Sequence, residues 1–251
     1  MLEWTARREF REELNELLCP APVEVRSNDH FMPRGVREPR EARIESFCGE
    51  AFMPRELRHS LRDWWLCHAR GANTPNWDLA ATCRIEGSDG LLLCEAKANA
   101  PELSPAGKRL AATSRRPGPP RKPSHRSEEN HRQIARAIAE ASHALRALGV
   151  VRELSIDSHY QLANRLAFTW KLASLGLPVA LLYLGFWGDQ GIRNVGPPFT
   201  SAEDWRRVFG SYASGVLERP GQDVRFAVGH VPALMLVRAR KVESQSPSVA
   251  S

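Results

Sequence analysis

The sequence predicts an α/β domain with a mixed sheet, and three observations predict it. The run Leu91-Leu92-Leu93-Cys94 has no polar face, as a central strand covered on both sides requires. A second strand pattern, Trp77–Glu86, precedes it across Gly87-Ser88-Asp89-Gly90, a hairpin signal that makes the pair antiparallel. Two helical patterns then lead to a third apolar strand, Val179–Trp187.

Taken in order, residues 1–19 read as a helix, with Leu2, Phe10, Leu14, Leu17 and Leu18 at roughly helical spacing and Pro20 as its stop. Residues 20–43 are rich in Pro and Arg and read as an irregular arm, so that 1–43 stands apart from an α/β domain over 44–240. A helix follows Pro54, with Leu57, Leu61, Trp64 and Trp65 as its apolar face. Gly71–Asn76 is a turn-rich break before the hairpin. Ser127 can cap the next helix, whose stripe is Ile134, Ile138, Ala141, Leu145 and Leu148 and whose end is Gly149. Another helix runs from near Ser158 to about Leu175, closed by Gly176-Leu177-Pro178. Asp204–Leu217 reads as a helix and Val224–Val228 and Ala233–Val237 as short strands. The tail, 241–251, Ser-rich after Val242, reads as disordered.

Composition narrows the function classes. A chain of 251 residues with 42% hydrophobic residues and seven Trp can offset its chain entropy, which excludes disorder throughout. The longest apolar run, Leu177–Trp187, is about half of what a bilayer-crossing helix needs, so no membrane partner is expected. The first ten residues are charged and amphipathic without an apolar core, so no secretory signal is expected. Five cysteines, an odd number with no Cys-x-x-Cys pair, read as reduced thiols in a cytoplasm; a zinc site on Cys67 and His68 is the lesser alternative. The net charge is +6, and residues 104–126 alone carry seven Lys and Arg, no acid and five Pro. That stretch reads as a flexible basic insert suited to a phosphate backbone, or as a solvated loop.

The candidate site lies where the apolar strand ends. Glu95 and Lys97 are two apart on a strand and share a face. A turn at Ser88-Asp89 would pair Thr82 with Glu95, Ala80 with Lys97 and Asp78 with Asn99, all on that face. Asp78 would then lie one diagonal beyond Lys97, and a bend or bulge would have to carry it to Glu95. Two carboxylates held together repel, and a hard divalent ion relieves the repulsion; a lysine beside it can orient or deprotonate a water or steady charge on phosphorus. On the helix from Ser158, Gln161, Asn164 and Arg165 share a face, which is either a second layer of the site or a solvent face. Asn130-His131 is a further candidate, against a role at the helix start. There is no Gly-x-Ser-x-Gly elbow, Walker loop or His-Glu-x-x-His, and Cys83 and Cys94 read as core.

With Asp78, Glu95 and Lys97 in this order, the chain resembles the PD-(D/E)xK nuclease superfamily over Pro54–Trp187, and it is also similar to uncharacterised bacterial proteins with such a core. It departs from the pattern twice: Asn76-Trp77 stand between Pro75 and Asp78, and the basic insert follows the strand of Glu95. The resemblance implies a restriction-endonuclease-like core, a central mixed β-sheet flanked by helices, and metal-dependent hydrolysis of phosphodiesters in DNA or RNA. The catalytic set would be Asp78, Glu95, Lys97 and Gln161. Mg²⁺ or Mn²⁺ would be held by Asp78, Glu95 and an acid of the first core helix, Glu50 ahead of Glu56 and Asp63. The partner would be nucleic acid, DNA ahead of RNA, contacted by Arg115, Arg116, Arg121, Lys122, Asn164 and Arg165, with a homodimer also compatible. The alternative is a protein of this fold that binds nucleic acid or a partner without cleaving; an ordinary Glu95–Lys97 ion pair would suit a purely structural role.

Overall fold

The apolar runs come to lie where their two-sided character requires. The computed structural model describes residues 1–46, 49–69, 74–110, 123–189, 191 and 196–242. Among these residues a single seven-stranded sheet forms from β1 (Val23–Glu24), β2 (Phe31–Met32), β3 (Leu79–Ile85), β4 (Ser88–Lys97), β5 (Val179–Trp187), β6 (Val224–Val228) and β7 (Val231–Lys241). The order across it is β1-β3-β4-β5-β7-β6, and β2 shares the outer edge of β3 with β1. β4, β5 and β7 run parallel in the middle, while β3 and β6 are antiparallel to their neighbours β4 and β7. The mixed α/β class expected from the element order is what the chain forms.

Helices cover both faces, which is why β4 and β5 show no polar side over most of their length. On one face, Leu91, Leu93, Val179 and Leu181 pack under α3 (Arg55–Trp65), α4 (His125–Ala147), α5 (Tyr160–Ser174) and α6 (Ala202–Ala213). On the other, Leu92, Cys94, Ala180 and Leu182 meet α1 (Leu2–Thr5) and α2 (Phe10–Leu18). Residues 1–43 therefore build the second face of the sheet and, through β1 and β2, part of its edge. Strands of two residues have no readable period, so the arm looks irregular in sequence.

The continuous helix expected over 1–19 is broken. Trp4 packs edge-on against Phe10 at 4.9 Å and its Nε1–H donates to Glu13 at 2.6 Å. In an unbroken helix, residues 4 and 13 would be about 13 Å apart along the axis, so this contact needs the turn at 6–9. The cap of α4 lies three residues earlier than expected: Ser124, not Ser127, takes that place, its Oγ accepting the Ser127 N–H at 3.3 Å. Leu148, read as part of the α4 stripe, lies beyond the helix and is exposed. Leu61 and Trp65 of α3 are fully buried, and each contributes on the order of 2–3 kcal/mol by the area it removes from water.

The basic insert is shorter than its composition indicates. Residues 105–108 are tied to the approach to α5: the Lys108 N–H donates to the Ile156 carbonyl at 2.7 Å and the Tyr160 N–H to Ala106 at 3.1 Å. Arg126 belongs to α4. Arg115, Arg116, Arg121 and Lys122 lie outside the described residues, as do 243–251 of the tail.

Candidate active site

The hairpin that carries the site turns two residues earlier than expected. Ile85 pairs with Ser88, leaving Glu86 and Gly87 as a two-residue loop, both at positive φ (52° and 82°), the pattern of a type I′ turn. The last pair of the ladder is Leu79–Cys94, so one step further Asp78 comes level with Glu95. No bulge or bend is required. The expected facing of Thr82 with Glu95 is replaced by Thr82 with Leu91. The slip is an even number of residues, so the face assignment survives while the partners change.

Asp78, Glu95 and Lys97 line one open cleft of about 580 Å³ at the end of β4, together with Gln161 and Arg165 from α5. Glu95 is 2% exposed and Lys97 7%, and they form an ion pair through Glu95 Oε1 and Lys97 Nζ. The same Oε1 accepts from Gln161 Nε2 at 2.5 Å. Oε2 accepts from Arg165 at 2.6 Å (Nε) and 2.5 Å (Nη2). Charges this deep are held only with partners of this kind, because desolvation without them is prohibitive. Asp78 Oδ2 accepts the Ala96 N–H at 2.8 Å. Burial, and next the Glu95 carboxylate, push the Asp78 carboxyl up to about 6, against the Ala96 N–H, Lys97 and Arg165, which pull it down.

Gln161, expected near a metal, donates to Glu95. Arg165 and Asn164 do not face outward. Both are buried; Arg165 also donates to the Asn76 carbonyl at 2.7 Å and to Asn164 Oδ1 at 3.1 Å, and it stacks over the Trp77 ring at 4.4 Å. Arg165 holds Glu95 in place, and four of its five N–H donors are already engaged within the protein. The two residues that depart from the family pattern, Asn76 and Trp77, are the ones that seat this arginine.

Among the first-helix acids, none lines the cleft. Glu50 lines a neighbouring pocket, Glu56 is exposed in the first turn of α3, and Asp63 pairs with Arg62 at 2.9 Å on the surface. The buried acid in this region is Glu45, which accepts from the Thr74 hydroxyl and whose carboxyl is pushed up by burial; Thr74 itself lines the cleft. Glu41 and Glu102 also border the cleft. None of the three had a sequence signal, because all lie outside regular elements with a readable period. Asn130 is structural: its amide exchanges two 2.8 Å hydrogen bonds with the His68 backbone. Cys67 is exposed, and His68 bonds Glu129 at 2.7 Å.

No group of three His, Cys, Asp or Glu among the described residues could hold a metal ion. Two acids level with each other, one with its carboxyl pushed up by burial and next by the other acid, are a donor set that an ion taking one or two carboxylates and keeping waters, such as Mg²⁺, would suit. No family model matches the chain, and no curated protein or solved structure matches it either. No helix among the described residues is long and apolar enough to cross a membrane.

Proposed function

We propose that this chain is a metal-dependent phosphodiester hydrolase acting on DNA or RNA, on a restriction-endonuclease-like core. The observation that carries the reading is the juxtaposition of Asp78 and Glu95 across the β3–β4 ladder, with Lys97 on the same face of the cleft. Asp78 and Glu95 would hold Mg²⁺ or Mn²⁺, which supplies charge neutralisation at the phosphate and a more acidic water. Gln161 and Arg165 fix the Glu95 carboxylate, so that one acid is oriented while Asp78, held by the Ala96 N–H alone, can adjust. Lys97 is placed to orient the attacking water or to steady charge growing on the phosphate oxygens. Free thiols at Cys19, Cys67, Cys83 and Cys94 agree with a reducing, cytoplasmic setting.

A second reading, binding without cleavage, draws on one observation: both Glu95 oxygens already accept bonds from Lys97, Gln161 and Arg165. Nicking of supercoiled plasmid by purified protein separates the two. Cleavage that needs Mg²⁺ or Mn²⁺ and disappears in Lys97→Ala supports hydrolysis. Binding with no divalent-dependent nicking supports the second reading.

A further inference from the structure

Beside the carboxylate cleft, and sharing Arg43 and Thr74 with it, lies a second cavity of about 490 Å³. Its wall is a stripe of α3. Arg55, Arg58, His59 and Arg62 stand at i, i+3, i+4 and i+7, so one side of the helix presents all four. The packing is done by the other stripe, Leu57, Leu61, Trp64 and Trp65.

Three features of this wall call for an anion. Like charges at these spacings repel, and Arg55 lies in the first turn, where the positive end of the helix adds to the repulsion. Compensation from the described residues is slight. Arg62 pairs directly with the exposed Asp63 and lies within electrostatic reach of Glu45, and neither Arg55 nor His59 has an acidic partner within ion-pair distance. Arg58 is the third and strongest feature. It is 8% exposed, donates to the Ser46 carbonyl at 2.9 Å, leaves its Nε without a partner, and has no carboxylate within ion-pair distance among the described residues. A guanidinium this deep needs a counter-charge. The acids of the wall oppose this only weakly: Glu50 is exposed, and burial keeps the Glu45 carboxyl inclined to hold its proton. That the Lys and Arg residues lining the pocket are all Arg matters too, since the planar fork matches phosphate oxygens in pairs.

We propose that this pocket is a phosphate-binding subsite, taking a phosphate group of the nucleic acid that occupies the adjoining cleft. The proposal rests on that cleft receiving nucleic acid and does not require cleavage. The phosphate is either a monoester at a strand end or a diester of the backbone, and the arms of the test tell them apart. Fluorescence anisotropy in EDTA, where nothing divalent is available for cleavage, measures binding of the full-length protein to a short single-stranded DNA. The DNA carries a 5′-phosphate, a 3′-phosphate or hydroxyls at both ends. Arg55→Gln/Arg62→Gln changes two side chains that are not buried, and Arg58→Lys keeps the charge but removes the fork. The double variant is expected to bind about tenfold more weakly or worse and to flatten the slope of log K against log salt by about 0.7 for each lost contact. Arg58→Lys is expected to weaken binding in the same direction. A wild-type preference for one phosphorylated end, lost in the variants, identifies the monoester; equal losses on all three DNAs identify the diester. Unchanged affinity and slope in variants that melt like the wild type overturn the subsite, as does failure of the wild type to bind any of the three. Plasmid cleavage is scored separately. Affinity loss in a chain that never cleaves keeps the subsite and removes the hydrolase reading, and cleavage with unaltered binding does the reverse.

Discussion

Glu13 and Glu95 are each gripped by two cations and an uncharged N–H donor, with an arginine stacked on a tryptophan. Glu13 takes Arg7 at 3.0 Å, Arg240 at 2.5 Å and the Trp4 indole at 2.6 Å, and Arg240 lies 4.5 Å from the centre of the Trp4 ring. Glu95 takes Lys97, Arg165 and Gln161, with Arg165 over Trp77 at 4.4 Å. The two hubs differ in what surrounds the grip. The Glu13 side chain is 18% exposed, and its partners come from α1, the turn after it and β7, so it fastens the N-terminal segment to the sheet. The Glu95 side chain is 3% exposed, has Asp78 level with it on the next strand and borders a cleft. A ring of donors around a carboxylate is thus a fastening. A second acid and a concave opening are what make one of the two fit for chemistry.

Removing the central charge tests the role of burial. Glu95→Gln removes the carboxylate that pairs directly with Lys97 and Arg165 and leaves only the neighbouring Asp78 to offset them, and the expected loss of stability is about 3–5 kcal/mol, the range for breaking a buried ion pair. Glu13→Gln should cost about 1 kcal/mol or less, because water reaches Arg7 and Arg240. Urea unfolding of both variants measures this, and equal losses would break the distinction between the hubs.

Lys97→Ala asks whether the Glu95 hub does chemistry. On the hydrolase reading, single-turnover cleavage should fall on the order of 10²-fold or more, while divalent binding is kept or tightened, since a nearby positive charge is gone. Calorimetric titration of Mn²⁺ beside the cleavage assay reads both quantities. Full activity in Lys97→Ala would remove the hydrolase assignment.

How much of this was legible beforehand depended on which features have a period. The central strands, the hairpin and the helices read after 54, 127 and 158 were readable because apolar residues recur at fixed steps. The register was readable only in parity, because Glu86 at positive φ is not a residue that turn rules pick over Gly-Ser-Asp-Gly. Whether Arg165 and Asn164 face the site or solvent was open in the sequence, because a polar stripe looks the same whether it meets water or a buried carboxylate. The arginines of α3 carried a visible i, i+3, i+4, i+7 pattern, but the apolar stripe beside it drew the reading toward packing alone.

The Asp78 carboxyl gives the comparison a pH dependence. Its folded value is raised from 3.8 to about 6, so between these pH values the folded chain holds more proton on Asp78 than the unfolded chain does. The part of the stability that Asp78 governs then falls as pH rises from about 4 to 6 and levels off above. The cost is on the order of 2–3 kcal/mol at 1.36 kcal/mol per pH unit. Asp78→Asn should remove this part of the slope and melt higher than the wild type at pH 7.5. Added Mg²⁺ should raise the wild-type melting temperature at pH 7.5 and leave that of Asp78→Asn unmoved. Identical pH profiles for the two proteins would show that Asp78 carries no such strain.

The smallest effect is expected at Arg7. Its side chain is 38% exposed, and without it Glu13 keeps both Trp4 and Arg240. Arg7→Ala should cost about 0.5 kcal/mol, a loss that shrinks as salt is added. Cleavage should not change, because Trp4 belongs to the apolar cluster on the face of the sheet opposite Glu95 and Lys97. The two faces are joined by strands whose side chains are packed on both sides, and such strands do not bend for one lost surface contact. Thermal melts at 50 mM and 500 mM salt, run beside the nicking assay, make the test. A loss of cleavage in Arg7→Ala at unchanged melting temperature would mean that the N-terminal hub steers the cleft through the sheet, and the division between a fastening and a site would have to be redrawn.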